Sequence, residues 1–394
     1  MSKAAPSGGI PRTVKGLSLV SLFNDLASEM VYPLLPALVT GPLGAGALVL
    51  GLLDGAAELT SAAVKVMSGR LSDRPGWRAP LILGGYATAV LVRPLIALAS
   101  AAWQVVGFRV IDRVGKGLRT PARDAWIAGV TRPAVRGRAF GFHRAADHFG
   151  AVLGSLMAWL LLEGGQSVRD VIGWSAVPGL LACVVLAPLL RRAGPEAVPA
   201  AVDAVHRVDA TGSVFWGPML LLAALTFLRL PEALLLLRLQ DLGVLVAVIP
   251  LVWAGLHVIR SASSYPGGWL SDRLGPRTAI AVGGLLFAAV ALALGGRPSA
   301  EAAVAVFLLF GVVAGLTEAA ERALVARLAP VRTGRGFGSY HALVGAAALP
   351  AGVGFGAIYQ RLGGSLALRV SALGMVFAVG LWLIVTRTMW KGTR

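Results

Sequence analysis

Two ten-residue stretches lying 199 residues apart read nearly alike: Gly69-Arg-Leu-Ser-Asp73-Arg-Pro-Gly76-Trp-Arg78 and Gly268-Trp-Leu-Ser-Asp272-Arg273-Leu-Gly-Pro-Arg277. Each joins two long apolar segments, so the chain is expected to be an internally duplicated membrane protein. Composition agrees. Charged residues are 14% of the chain and apolar ones 56%, against roughly 25% charge in a soluble domain, which excludes an ordinary soluble fold. Apolar runs near the ~20 residues needed to cross a hydrocarbon layer fall at 15–39, 46–68, 78–101, 103–130, 137–162, 169–190, 213–238, 243–267, 278–297, 301–328, 336–360 and 366–388. The expected fold is an all-α membrane protein with twelve transmembrane helices in two pseudo-symmetric six-helix bundles. Its expected parts are a tail at 1–14, a bundle at 15–190, a linker at 191–212 and a second bundle at 213–390. The 50 glycines suit close helix contacts where lipid supplies no hydrophobic drive.

Basic residues set the expected orientation, because Lys and Arg gather on the cytoplasmic side. The two termini and the even-numbered loops hold twenty Lys and Arg, the odd loops only Arg169, Arg297 and Arg361. Both termini are therefore expected in the cytoplasm, with the protein in the inner membrane. The net charge of +17 then reflects topology and attraction to anionic lipid rather than nucleic acid. The polar first fourteen residues do not form a cleavable signal, so the first span is expected to target the chain. One cysteine, Cys183, permits no disulfide framework or cysteine metal cluster within the chain. Val114-Gly-Lys-Gly117 lacks the spacing of a phosphate-binding loop, which argues against direct use of ATP. No nucleophile–base set or metal triad suggests an enzyme, and no cofactor is called for.

The two Gly-x-Leu-Ser-Asp-Arg-x-Gly-x-Arg loops resemble the signature loop of the major facilitator superfamily, found between helices 2 and 3 and again between helices 8 and 9. Met30-Val-Tyr-Pro33-Leu-Leu-Pro36 resembles a proline motif of that superfamily's drug/proton antiporters. Arg109 stands where members carry an arginine in helix 4. Gly150-Ala-Val-Leu-Gly154 is similar to the antiporter glycine motif, with Ser155 in place of the usual proline. Phe23–Met30, Asp112–Arg119 and Gly141–Arg144 are similar to a largely uncharacterised bacterial and archaeal branch of permeases. The resemblance implies secondary transport by alternating access. It also implies a conformational role for the loop aspartates Asp73 and Asp272, alongside Gly69, Arg74, Gly76, Arg78 and Arg273; the residues alone allow a plain topology-setting turn.

Helix 4 carries the most unusual chemistry. Arg109, Asp112, Arg113, Lys116, Arg119, Arg123 and Asp124 fall on one arc of an otherwise apolar helix, and at 100° per residue they form an ionic stripe. Such groups must face a cavity or partner carboxylates rather than lipid. Asp25 and Glu29 in helix 1, Asp54, Glu58 and Lys65 in helix 2, and His143, Arg144, Asp147 and His148 in helix 5 lie at similar depth. Two readings stay open: internal pairs that hold the half together, or a site in which Asp25, Glu29 or Asp147 takes a proton while Arg113, Lys116 or Arg119 meets an anionic group. His143 and His148 do not share a helix face, and no metal site is assigned. His257 and His341 read as packing histidines. In the second half Arg229-Leu-Pro-Glu232 interrupts helix 7, with an internal Arg229–Glu232 pair as the bland reading, and Glu318, Glu321 and Arg322 suggest an inner gate.

The expected function is proton-coupled secondary transport of a small anionic or zwitterionic organic solute. The alternative is a drug or divalent-metal exporter. The partners expected are the solute, protons and lipid, with no nucleic acid, for a chain acting as a monomer.

Overall fold

The computed structural model describes residues 10–72, 74, 76–131, 136–193, 213–328 and 333–390. Twelve helical segments follow one another among them, with no strand. In the first six, α1 is Arg12–Val31, prolonged by a 3-10 turn Tyr32–Leu34 and a short helix Leu35–Thr40. Then come α2 (Ala47–Ser72), α3 (Arg78–Leu95), α4 (Ala102–Val130), α5 (Arg136–Glu163) and α6 (Val168–Trp174 with Ala176–Ala193). The second six are α7 (Ser213–Leu228 with Glu232–Asp241), α8 (Ile249–Leu274), α9 (Pro276–Gly295), α10 (Ala300–Leu328), α11 (Thr333–Leu362) and α12 (Gly364–Trp390).

Ten of these segments are long and apolar enough to cross a membrane. The other two, α1 and α4, are those in which ionic residues interrupt the apolar run. Residues 191–193 continue α6, and 194–212 of the expected linker lie outside the described residues.

Packing repeats with a period of six helices. In the first bundle α1 packs on α5 and α6, and α4 on α2 and α3; in the second α7 packs on α11 and α12, and α10 on α8 and α9. Across the bundles α2 lies along α11 and α5 along α8. Glycine makes the first of these seams possible. A Cβ on Gly51 would sit 1.9 Å from the Gly352 carbonyl oxygen, and one on Gly352 would sit 2.1 Å from that of Gly51. Likewise the Gly150 and Gly154 motif seats α5 on α1, where added Cβ atoms would meet the carbonyls of Leu22 and Leu26 at 2.3 and 2.2 Å.

Burial shows which ends meet. One apolar cluster spans both bundles and gathers Leu34, Leu50, Leu235, Trp253 and Phe355 at the end opposite the termini. The terminal ends of the first bundle have a separate cluster, with Leu17, Ile82, Trp126 and Leu186, that contains only first-bundle residues. The first bundle thus shares an apolar core with the second at its far end and keeps a core of its own on the side of the termini.

The two signature loops close differently. Gly76 and Gly275 both take the left-handed backbone conformation (φ +79° and +80°), which only glycine adopts without strain. Gly69 lies within α2, Arg74 and Arg273 are exposed, and Arg78 turns back to bond the Ser72 carbonyl at 2.9 Å. Arg277, the counterpart of Arg78, instead bonds Thr386 Oγ1 at 2.7 Å and the Leu383 carbonyl on α12. The eighth helix also runs on to Leu274 rather than ending near residue 267, because no proline interrupts Leu-Ser-Asp-Arg-Leu. Asp73 lies outside the described residues; Asp272 lies on the last turns of α8, its side chain not among those described.

Candidate functional site

The ionic stripe of α4 divides into two parts. Asp112 is fully buried and gathers three guanidinium groups: Arg93 Nε of α3 at 2.9 Å, Arg109 Nη1 at 3.5 Å and Arg113 Nε at 3.5 Å. Arg93 also donates to the Asn24 carbonyl of α1 at 2.8 Å. Two turns on, Arg119 donates to the Gly85 carbonyl at 3.1 Å and lies 4.9 Å over the ring of Tyr86. Arg123 meets Asp124 and Ser21 Oγ, each at 3.0 Å. Arg109, Asp112, Arg119 and Arg123 are thereby buried and partnered inside the first bundle, where removing one partner of a set costs far more than the set itself contributes.

Lys116 belongs to the other part. It is exposed on α4, and no carboxylate among the described residues comes within ion-pair distance of it. Its electrostatic neighbours are Arg113, Lys65, Glu58 and Asp25, so it turns toward α1 and α2. Glu58 is exposed and Lys65 half-buried. Asp25 accepts a hydrogen bond from Asn24 Nδ2 at 2.9 Å and has no cation in contact among the described residues. On α5, Asp147 lies 3.7 Å from both His143 Nε2 and Arg144 Nη1, while His143 Nδ1 is 3.3 Å from Ser18 Oγ.

A second group ties the bundles together. Asp54 Oδ2 accepts the Tyr32 hydroxyl at 3.0 Å and, from across the interface, the Ala233 amide at 3.0 Å. Ala233 is the second residue of the outer limb of α7, a helix start with no side-chain cap of its own, so Asp54 of α2 caps it from the other bundle. Glu29 of α1 accepts Trp253 Nε1 of α8 at 2.8 Å and lies 3.6 Å from His257 Nε2. Tyr32 links the two contacts: its ring is 5.2 Å from Trp253 and 4.9 Å from the Arg109 guanidinium.

The break in α7 corrects one expectation. Arg229 and Glu232 do not pair with each other. Pro231 starts a new limb, leaving Arg229 to reach Glu321 of α10 at 3.2 Å and Glu232 to reach Arg260 of α8 at 2.6 Å. Glu321 also accepts the Tyr340 hydroxyl at 2.5 Å, while Glu318 and Arg322 pair with each other at 3.3 Å.

Asp25, Glu58, Arg113 and Lys116 are thus brought together, and Asp54 and Glu29 are drawn into the interface. Arg93, Trp253 and Arg260 are the groups that sequence reasoning passed over, and His257, expected only to pack, faces Glu29 across the interface. Two signals were present: Arg93 is a lone ionic residue in the apolar run of α3, and Arg260 follows His257 by three residues in α8.

Residues 17–256 match the family model described as Major Facilitator Superfamily. An uncharacterised MFS-type transporter of Methanocaldococcus jannaschii is 29% identical over 361 residues, covering 89% of each chain. The multidrug resistance protein MdtH of Aeromonas hydrophila is 32% identical over 174 residues, 44% of this chain and 43% of that one. Among solved structures, a bacterial homologue of the human lysosomal transporter Spinster, inward-facing and unoccupied, superposes with a TM-score of 0.73 at 17% identity, covering 98% of this chain and 99% of the other.

Proposed function

The chain belongs to the Major Facilitator Superfamily, and from that premise we propose that it moves a small anionic or zwitterionic organic solute in a cycle coupled to protons. The coarser part follows from the family: this is a multi-pass membrane protein and a secondary transporter working by alternating access, not an enzyme.

One observation carries the choice of solute. Every other cation of the α4 stripe has a partner, whereas Lys116 is exposed at mid-helix beside Arg113 and has no carboxylate in contact among the described residues. An intramembrane ammonium left in this condition is costly unless a ligand completes it. With Arg113 it suits the anionic end of a solute, while the carboxylates Asp25 and Glu58, which make no contact ion pair among the described residues, suit a cationic end or a proton. Arg119, His143 and Asp147 support this wall from behind; Arg229 and Glu232, through Glu321 and Arg260, shape the opposite one. The bundles share their apolar core at the far ends, and the excess of Lys and Arg assigns the side of the termini to the cytoplasm. The loop residues Asp73 and Asp272 serve as conformational latches, the protein acts as a monomer in the inner membrane, and the arrangement is inward-facing.

Uptake into proteoliposomes under an imposed pH gradient, screened across organic anions, zwitterions, cationic drugs and divalent metals, tests this reading. Stimulation by an anion or zwitterion, with about a tenfold or greater loss in Lys116→Gln at unchanged melting temperature, is the expected result; about 1.4 kcal/mol corresponds to each factor of ten. Stimulation by cationic drugs alone, with Lys116→Gln unaffected, replaces it with the exporter reading that the likeness to MdtH favours.

A further inference from the structure

His257 is a buried histidine that spends neither ring nitrogen. Nδ1 and Nε2 are both buried with no hydrogen-bond partner, although a histidine kept for packing satisfies at least one of them. Its ring stands edge-on to Trp253, centroids 5.2 Å apart and planes at 82°, which aims Nε2 at Glu29 Oε2 from 3.6 Å. That separation is about 0.7 Å beyond a charge-assisted N–H···O bond. Glu29 has room for it, since Trp253 is its one hydrogen-bond donor among the described residues. Glu29 sits on α1 and His257 on α8, so the gap between them crosses the interface that closes the far side.

We propose that Glu29 and His257 form a proton-binding site shared between the two bundles, occupied when the far side is closed and dismantled when it opens. The inference rests on the alternating-access, proton-coupled reading given above and supplies its coupling site. A proton taken onto His257 Nε2 makes an imidazolium that bonds the Glu29 carboxylate, drawing α8 onto α1 beside the Trp253 bond. Opening the far side separates the helices and leaves the imidazolium without its counter-ion. The proton therefore binds more tightly to the closed arrangement, and by linkage acidification shifts the population toward it.

The surrounding charges do not replace the histidine in this role. Asp25 on α1 and Arg109 on α4 lie within electrostatic reach of Glu29, but Arg109 is held by Asp112. Arg260, also on α8, faces Glu29 and Glu318 of α10 but is bound by Glu232 of α7. Among the described residues His148 of α5 is the other histidine facing His257, and it also faces Arg144, Asp147 and Glu318. It is the competing candidate for any pH response.

The test reads conformation and needs no substrate. Pro42 and Leu245 are exposed in the far-side loops of the two bundles, so spin labels on Pro42→Cys and Leu245→Cys, in a Cys183→Ser chain reconstituted in nanodiscs, report far-side closure. Lowering the pH across the histidine range, from about 8 to about 5.5, is expected to raise the ratio of short to long distances about threefold or more. His257→Gln and Glu29→Gln should each abolish that change, His257→Arg should hold the short distance at every pH, and His148→Gln should leave the response intact. A wild-type distance that ignores pH, a response that survives in His257→Gln, or one lost in His148→Gln overturns the proposal. Should His257→Gln not fold, Glu29→Gln and His257→Arg carry the same opposed predictions. A failed solute screen leaves this result standing, and a flat pH response leaves the identity of the solute untouched.

Discussion

In the first bundle Arg93, Arg109 and Arg113 converge on the single carboxylate of Asp112, whereas in the second Arg229 and Arg260 meet one glutamate each. The two bundles share a contact plan, yet one encloses a surplus of positive charge around a fully buried acid and the other sends Arg229 and Arg260 to separate glutamates. A surplus must be contained, and burial of Arg109, Arg119 and Arg123 against carboxylate, carbonyl, hydroxyl and aromatic groups is how the first bundle contains it. The remaining member, Lys116, is left over at the centre. The second bundle contributes groups that close the interface: Ala233, Trp253 and His257.

The sharpest way to break this contrast is to remove its acid. Asp112→Asn strands three buried arginines, and losing one partner of a buried charge set typically costs about 3–5 kcal/mol; it should lower the melting temperature of the purified protein far more than Glu321→Gln, which strands Arg229 alone. Equal shifts would mean that the two bundles hold charge in the same way. Next in size is the seam that joins them. Because a Cβ at Gly51 would lie 1.9 Å from the Gly352 carbonyl, Gly51→Leu should force α2 and α11 apart, lengthening the far-side distance between labels and cutting uptake about tenfold or more, each factor of ten being ~1.4 kcal/mol. Retained short distances would show that the seam tolerates bulk. The smallest effect belongs to Asp54→Asn, which keeps the shape of the cap but removes its charge. A charged acceptor contributes ~1 kcal/mol more than a neutral one, so a few-fold shift toward far-side opening is expected, read from the same label pair.

Much of the architecture was legible in the residues. Apolar runs of membrane-crossing length predicted the twelve segments to within a few positions, with the largest error at α8, where the absence of a proline lets the helix run through the second signature loop. Proline at 231 and the two loop glycines marked a break and two turns that the structure contains. The site was legible only in part. The ionic stripe of α4 announced itself by composition, but its division into a partnered group and one open lysine depends on Arg93, Gly85, Tyr86 and Ser21, which come from α1 and α3. Nor could the sequence separate Arg229 from Glu232. Three residues apart, they look like one pair, and only the change of direction at Pro231 sends each to a different helix.

The sequence by itself determined that this chain lives in a bilayer, that it is built twice over, and that its charges must be kept from lipid. These are solvation constraints, set residue by residue by the cost of exposing ions and backbone to hydrocarbon. Tertiary structure alone decided which charges neutralise one another and which groups meet across the two bundles. An ion pair or a hydrogen bond forms only within a few ångströms, and no spacing along one chain fixes the distance between residues as far apart as Glu29 and His257.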